Sequence, residues 1–209
     1  MSPAPTPFIF VADDVALDFA NTLAAPTGTL FDFLGAPGSL TAWAQASGAL
    51  PALGALLVAA AAHGELAEVE DEARALRDWL VGVLPQIRAG SAPLAAVDLA
   101  PLNRALTAAC CAWSVHACEG RATLARDWCY AGPLSALAPL AEAIASLLAR
   151  PDLHDIRKCE NPQCTLWFRD VTKRGHRRWC STAVCGNRAK VAAFRDRQKR
   201  ATRETDGDG

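Results

Sequence analysis

Four cysteines near the C-terminal end of this 209-residue chain have the spacing of a metal site. Cys159 and Cys164 form one C-x4-C pair, Cys180 and Cys185 form another, and fifteen residues separate the pairs. Two close pairs joined by a hairpin-sized insert are typical of a tetrahedral four-thiolate site. Four thiolates leave no position for a reactive water, so we predict one structural Zn²⁺ and no catalytic metal.

Other uses of these cysteines and their neighbours stay open at this point. Four thiolates can also hold an iron–sulfur cluster, although the basic and aromatic residues crowded around both pairs favour a smaller single ion. His176 lies in the insert and is an alternative fourth ligand. The other four cysteines lack a paired spacing, and we expect them to pack in the core or in the hairpin of the body, with a second metal site or a Cys118–Cys129 bridge as the alternative.

The charge distribution is strongly asymmetric, although the net charge of the chain is only −1. Residues 1–156 carry seven arginines, no lysine and sixteen acids, whereas residues 157–200 carry thirteen basic residues and three acids. Such a basic block on an acidic body is typical of a polyanion-binding module. Neutralising a zinc–thiolate centre needs only two or three cations, for which Lys158, Arg178 and Arg188 are candidates. The predicted nucleic-acid contacts are Arg169, Lys173, Arg174, Arg177, Arg188, Lys190, Arg195, Arg197, Lys199 and Arg200.

Local patterns around the cysteines predict a treble-clef-like finger. Asn161 and Pro162 fit a knuckle turn, and residues 166–168 and 178–179 read as a short hairpin. Ser181 can cap a helix over residues 182–200 that carries the last ligand. We expect Val184, Val191 and Phe194 to face the hairpin. Its aromatic residues Trp167, Phe168 and Trp179 fit a small core better than a stacking platform for single-stranded nucleic acid.

The first 151 residues predict a mainly helical domain with one small sheet. A strand is expected at residues 8–11, followed by a helical turn over residues 15–23, a short helix capped by Ser39 and a helix that begins at Pro51. An apolar stripe from Leu66 to Ile87 predicts a long helix. A helix at 98–108, a hairpin at 112–129 and a helix from Pro133 follow. The predicted fold class is therefore α+β, with domains at 1–151 and 152–200 and a disordered tail at 201–209.

The body shows little catalytic chemistry, and we expect no enzyme. Asp18, Asn21 and Thr22 lie at i, i+3 and i+4 of a predicted helix, where one face could bind a small-molecule effector. The alternative is that they form capping and helix–helix hydrogen bonds. The N-terminus has no features of a secretory signal, and the longest uncharged apolar stretch, residues 48–62, is too short for a membrane span. The expected location is therefore cytoplasmic.

Several segments together resemble one known family. Residues 178–190, RWCSTAVCGNRAK, resemble the signature of CGNR zinc fingers, and so do residues 159–164 and 168–170. Residues 17–22, LDFANT, resemble the N-terminal motif of the ABATE domain, which precedes this finger in the same proteins. The resemblance implies zinc ligation by Cys159, Cys164, Cys180 and Cys185, a helical N-terminal domain, and a role in stress-linked bacterial transcription regulation.

These observations lead to one main functional hypothesis and two alternatives. The main one is a zinc-dependent regulator that binds duplex DNA, with a body that senses a ligand or mediates assembly. Because one small finger reads few base pairs, specific operator binding would favour a homodimer. The alternatives are an RNA-binding or ribosome-associated zinc protein, and an enzyme with its site near Asp18 and Asn21.

Overall fold

The computed structural model describes residues 8–89, 97–118, 120–151 and 153–205, without the side chains of residues 196 and 199–205. Residues 1–7, a proline-rich stretch that the sequence predicts to be disordered or draped over the body, lie outside this part. The α+β class is confirmed, because helices dominate and the strands of the described ranges form three two-stranded antiparallel sheets. None of the described helices has the length and apolarity that crossing a bilayer requires.

The body is built mainly from helices and contains two of the small sheets. Its helices are α1 (Val15–Ala20), α2 (Ser39–Ser47), α3 (Pro51–Ala62), α4 (Leu66–Ala89), α5 (Ala100–Thr107), α6 (Pro133–Ala136) and α7 (Ala138–Leu148). Its strands are β1 (Leu23–Ala24), β2 (Phe31–Asp32), β3 (Cys110–Cys118) and β4 (Arg121–Cys129). The finger adds β5 (Ile156–Lys158), β6 (Trp167–Arg169), a π-helical turn (Thr182–Gly186) and α8 (Asn187–Thr205).

The long helix α4 confirms the apolar stripe read from the sequence. Val69, Ala73 and Leu80 are fully buried along it, as the 3.6-residue period requires. Arg77 is also buried on this helix and forms two hydrogen bonds with the carboxylate of Asp32, at 2.5 and 3.1 Å. That pair fixes the β1–β2 turn against α4, because an unpaired buried guanidinium would be strongly destabilising.

Two predicted elements of the body differ from the structure. The expected strand at residues 8–11 is wrong: this segment is not in a sheet, and Phe8 and Phe10 pack against the rings of Phe33 and Trp43. The single helix expected from Pro133 is divided into α6 and α7 around Leu137. Pro139 has no N–H to donate to the preceding turn, so the helix is interrupted there.

The β3–β4 hairpin is longer than the sequence predicted, and it contains a disulfide. Its register places Cys110 opposite Cys129, and these two residues are disulfide-bonded with a Cα–Cα distance of 5.2 Å. The alternative of a Cys118–Cys129 bridge is wrong, because Cys118 lies opposite Arg121. All four body cysteines lie in the hairpin strands, as one part of the expectation had it, but Cys111 and Cys118 are exposed, so the core packing that was its other part is wrong for these two.

Body and finger share one continuous cluster of buried side chains. Leu17 and Phe19 of α1 belong to it together with Phe168 and Cys159 of the finger. Helix α1 lies directly against β6. The finger is thus packed onto the N-terminal segment of the body rather than tethered by a linker.

Candidate metal centre and nucleic-acid interface

The four predicted metal ligands converge on one buried point. Cys159 follows β5, Cys164 closes the knuckle turn, Cys180 precedes the π-helical turn and Cys185 lies within it. All four are buried, and their sulfur atoms lie within 4.8 Å of one another. The knuckle is closed by the Cys164 N–H donating to the Asn161 carbonyl at 2.9 Å, and the Asn161 side chain accepts from the Gln163 N–H at 3.0 Å.

The sulfur–sulfur distances fit a single tetrahedral ion. Sγ of Cys180 lies 3.8 Å from Sγ of Cys164 and 3.6 Å from Sγ of Cys185. Zinc–sulfur bonds of about 2.3 Å at tetrahedral angles require sulfur separations of about 3.8 Å. Sulfurs this close surround one ion rather than a multi-iron cage. His176 is exposed and lies outside the cluster, so the site is positioned to bind one structural zinc through four thiolates.

The thiols of the cluster strongly influence one another's ionisation. Thiol donation from Cys164 and Cys180 lowers the pKa of Cys159 to about 2. The contact with Cys159 in turn raises the pKa of Cys164 to about 12, and it also raises the pKa of Cys180. Without a metal, the ionisation of Cys159 therefore disfavours the ionisation of Cys164 and Cys180. A divalent cation removes this repulsion and allows all four to bind as thiolates.

The π-helical turn brings the last ligand into place through three neighbouring residues. Ser181 caps it by accepting a hydrogen bond from the Val184 N–H at 3.4 Å, which confirms the predicted cap. A Cβ on Gly186 would lie 3.2 Å from Cδ1 of Trp179, so glycine allows the indole ring to pack closely there. The Asn187 amide donates to the Ala183 carbonyl at 2.9 Å.

The residue after Asn187 links the finger to the body, because Arg188 donates to the Pro26 carbonyl at 2.9 Å.

The hairpin expected between residues 166–168 and 178–179 is wrong. Trp167 instead pairs with Lys158, so β6 forms its sheet with the strand that precedes the first ligand. Trp167 and Phe168 have only 6% and 0% of their surface exposed. Neither ring is therefore available for stacking on a base, which supports the small-core interpretation for both. Trp179 is half-buried.

The three apolar side chains that were expected to cover these aromatic residues from the C-terminal helix face solvent instead. Val184, Val191 and Phe194 are 49%, 48% and 53% exposed, so the prediction that they face the hairpin is wrong. The core of the finger is completed from the other side, by the N-terminal segment of the body. Helix α8 projects from the metal centre, and Val184 and Val191 line a shallow groove together with Pro162 and Trp179.

The predicted effector residues lie at the junction between body and finger. Asn21 is buried, donates to the Trp167 carbonyl and accepts from its N–H, both at 2.9 Å. Asp18 accepts hydrogen bonds from the N–H groups of Val11 and Ala12, each at 3.0 Å. The Thr22 hydroxyl donates to the Phe19 carbonyl at 2.7 Å. All three side chains thus have partners inside the protein, as the alternative interpretation expected, and effector binding stays a prediction.

Two of the predicted nucleic-acid contacts, Arg169 and Arg177, have several partners inside the protein. The Arg177 guanidinium forms an ion pair with Asp13, donates to the carbonyls of Val11 and Cys180 at 2.7 Å each, and lies over the Phe168 ring. The Arg169 guanidinium contacts the carboxylates of Asp155 and Asp14 at 3.1 and 3.5 Å. These contacts hold the finger against residues 11–14, so we leave both arginines out of the candidate interface.

The remaining basic residues of the finger form an exposed surface. Six side chains are exposed and make no ion pair with any described residue: Lys173, Arg174, Arg188, Lys190, Arg195 and Arg197. The side chains of Lys199 and Arg200 lie outside the described part. Lys173 and Arg174 border a groove of about 690 Å³ that also includes His176, Arg178 and Trp179. His176 was not predicted to belong to this surface, and its only sequence signal was its position between arginines.

One cluster on the body resembles a catalytic triad in composition but not in geometry. The Ser114 hydroxyl and the Asp127 carboxylate lie 2.7 and 3.3 Å from the same nitrogen of His116, Nε2. A relay requires the base to contact the nucleophile through one ring nitrogen and the orienting acid through the other. The arrangement is therefore a surface hydrogen-bond network.

Family models match both parts of the chain. Residues 156–198 match the CGNR zinc finger, and residues 13–151 match ABATE, which is described as "Putative stress-induced transcription regulator". A search of curated proteins finds no match. One match covers the body and the other covers the finger, and together they confirm the family resemblance seen in the sequence. The chain belongs to the ABATE family, with a C-terminal CGNR zinc finger.

Proposed function

We propose that this protein is a zinc-dependent transcription regulator that holds duplex DNA with its finger. The observation that carries the proposal is the set of six exposed basic side chains without acidic partners. Exposed basic side chains without acidic partners are suited to phosphate oxygens, which supply most of the affinity for DNA. The acidic body, with a net charge of −9 over residues 1–156, would be repelled by DNA and so orients the finger towards it.

Helix α8 has suitable dimensions for a groove-binding element. It spans 19 residues, which corresponds to about 28 Å of helix. Arg188, Lys190, Arg195 and Arg197 are exposed along it, and its N-terminal end is anchored at the metal centre. The major groove of B-DNA, about 12 Å wide, admits one such helix. In this arrangement Lys173 and Arg174 would contact the adjacent backbone.

The test is an anisotropy titration of the zinc-loaded full chain against labelled duplex DNA at several salt concentrations. If about five phosphates are contacted, the slope of log affinity against log salt is about −4 to −5. Arg195→Gln and Arg197→Gln should each weaken binding and reduce that slope by about 1. Arg121→Gln, an exposed arginine on the body, should leave both quantities unchanged. Absence of binding at low salt, or an equal loss in all three variants, would refute the proposal.

The remaining parts of the proposal concern the body and the location. We propose that the body senses a ligand or mediates assembly, and that the protein acts by binding rather than by catalysis. The closed four-thiolate site supports this view because it has no position for a substrate or water. Action in the cytoplasm follows from the proposed DNA target. Selection of bound sequences from a random duplex pool by the zinc-loaded protein would distinguish a specific regulator from a general polyanion binder.

A further inference from the structure

The β3–β4 hairpin is an arm whose apolar face is uncovered in its outer part. Each strand has nine residues, and in the described part most of their side chains are exposed. The hairpin contacts the body near its base, where Arg126 of β4 pairs with Glu142 of α7. A two-stranded hairpin in water is only marginally stable unless another element covers it. The Cys110–Cys129 disulfide secures the base, but the outer part of the arm has no such support.

Strand register separates the two faces of this arm. Because side chains alternate and directly opposed residues share a face, Trp113 and Arg126 lie on the same side as Val115 and Leu124. Trp113, Val115 and Leu124 are 62%, 69% and 63% exposed. The opposite face is polar and carries the Ser114–His116–Asp127 network. Large aromatic and aliphatic side chains clustered on one exposed face are typical of an interaction surface.

The charge on the apolar face is already compensated. Arg126 is the one charged residue on that face among the described residues, and its guanidinium lies 4.6 Å from the Trp113 ring centre and 5.2 Å from that of Trp128. Its ion pair with Glu142 balances the charge. Residues 110–129 carry two arginines and two acids, whereas residues 1–156 as a whole carry −9. Two copies can therefore meet at this arm with much less repulsion than elsewhere on the body.

We propose that the apolar face of the hairpin is a homodimer interface, in which two copies stack their arms face to face about a two-fold axis. At these exposed fractions, Trp113, Val115 and Leu124 offer roughly 350–400 Å² per copy, more than scattered surface residues provide. With the flanking Ala117, Ala122 and Cys111, the pair of faces buries about 1,000 Å², near the lower limit of specific interfaces. A two-fold arrangement needs only this one surface, because an isologous contact uses the same patch twice.

The arrangement also gives each arm the packing partner that it lacks. Stacked sheets lie about 10 Å apart, so Trp113 and Leu124 of each copy would interdigitate with those of the other. The proposal does not depend on DNA binding. If the proposed function holds, the dimer would present two fingers to one DNA site, as a specific operator requires.

The experiment is sedimentation velocity of the zinc-loaded full chain at concentrations up to about 100 µM, above the micromolar Kd expected for an interface of this size. The wild-type protein should sediment with twice the mass of one chain at the upper concentrations. Leu124→Glu places a carboxylate in each half of the interface and should weaken the dimer at least about 100-fold. Val115→Glu, on the opposing strand, should do the same.

Thr123→Glu is the matched control, because Thr123 is the preceding residue, is also exposed, and lies on the polar face. It should remain dimeric. Circular dichroism and zinc content, unchanged in all three variants, would show that the fold is intact. A monomeric wild-type protein would overturn the proposal, and so would folded Leu124→Glu that still dimerises. An equal loss of dimer in Thr123→Glu would also overturn it, because it would show that any added charge on the arm disrupts association.

Discussion

The side-chain amide of Asn21 pairs with the backbone of Trp167, although 146 residues separate them in the chain. The amide continues a pattern on the edge of β6 that faces away from β5. Two residues before Trp167, the Thr165 N–H donates to the Ala25 carbonyl at 3.2 Å, and two residues after it, the Arg169 N–H donates to the Ala12 carbonyl at 2.8 Å. The N-terminal segment of the body thus acts as a third partner of the sheet in the finger.

Replacing Asn21 should therefore destabilise the whole protein. Asn21→Ala leaves the buried N–H and carbonyl of Trp167 without partners, which we expect to lower the free energy of unfolding by about 2–3 kcal/mol. Urea denaturation followed by circular dichroism measures this change. Asn103→Ala, at an exposed position on α5, should change the free energy by less than about 0.5 kcal/mol. Equal effects of the two substitutions would show that the Asn21 contacts do not hold the finger to the body.

The metal centre gives a second prediction, on stoichiometry and stability. Native mass spectrometry should show one zinc per chain, and Cys185→Ser should lose it, because a hydroxyl cannot replace a thiolate ligand at neutral pH. Chelation of the wild-type protein should unfold the finger and lower the stability of the body that shares its core. Cys118→Ser, an exposed thiol on the hairpin, should retain the metal. A full complement of zinc in Cys185→Ser would contradict the ligand set.

The parts of the molecule that the sequence predicted well are those that depend on local spacing. The ligand set follows from two C-x4-C pairs, and α4 follows from a continuous apolar stripe, so neither needs knowledge of a distant partner. The long-range partners could not be predicted in this way. Spacing places Asp18 and Asn21 on a short helix but does not show that Asn21 contacts Trp167. Periodicity places Val191 and Phe194 on α8 but does not show whether another element covers them.

The pairing of β6 failed for a related reason. The sequence has a strong turn signal at Lys173, Arg174 and Gly175, and this signal favoured a local hairpin with residues 178–179. In the structure β6 pairs with β5 across the knuckle, since Cys159 and Cys164 must approach each other at the metal. The exposure of Cys111 and Cys118 was likewise not predictable from composition, because cysteine is usually buried and only the projecting hairpin places these two outside.

Asp18 gives a prediction on pH. Burial raises its pKa to about 6, with smaller opposing effects from the N–H groups of Ala12 and Val11. The folded protein holds the proton of the Asp18 carboxyl more tightly than the unfolded chain does. The stability that this protonation contributes is therefore fully present below pH 4 and is lost as the pH rises through 6. Asp18→Asn keeps an acceptor oxygen and removes the titration. We expect the stability of the wild-type protein relative to this variant to fall by on the order of 1 kcal/mol between pH 4.5 and 7, allowing for solvent screening.

The pH measurement compares the two proteins by urea denaturation at each pH. Zinc-ligand protonation and carboxylates that do not interact with Asp18 contribute equally to both proteins, so their effects cancel in the difference. The repulsion from Asp13 and Asp14 is part of the Asp18 effect and stays in it. A difference that stays constant across this range would show that Asp18 titrates as it does in the unfolded chain.

Two glycines in helical segments should respond to alanine in opposite directions. A Cβ at Gly186 would lie 3.2 Å from Cδ1 of Trp179 and 3.4 Å from Cγ2 of Thr182, so Gly186→Ala must displace the indole ring that packs against this glycine. We expect a loss of about 1–2 kcal/mol and weaker zinc retention in a chelator competition. Gly82, exposed within α4, has no atom within 4 Å of such a Cβ, and Gly82→Ala should raise the stability by about 0.5–1 kcal/mol through helix propensity alone. Thermal unfolding of both variants measures whether each substitution raises or lowers the stability. A stabilising Gly186→Ala would show that the glycine at this position is not required for the close packing of Trp179 against the π-helical turn.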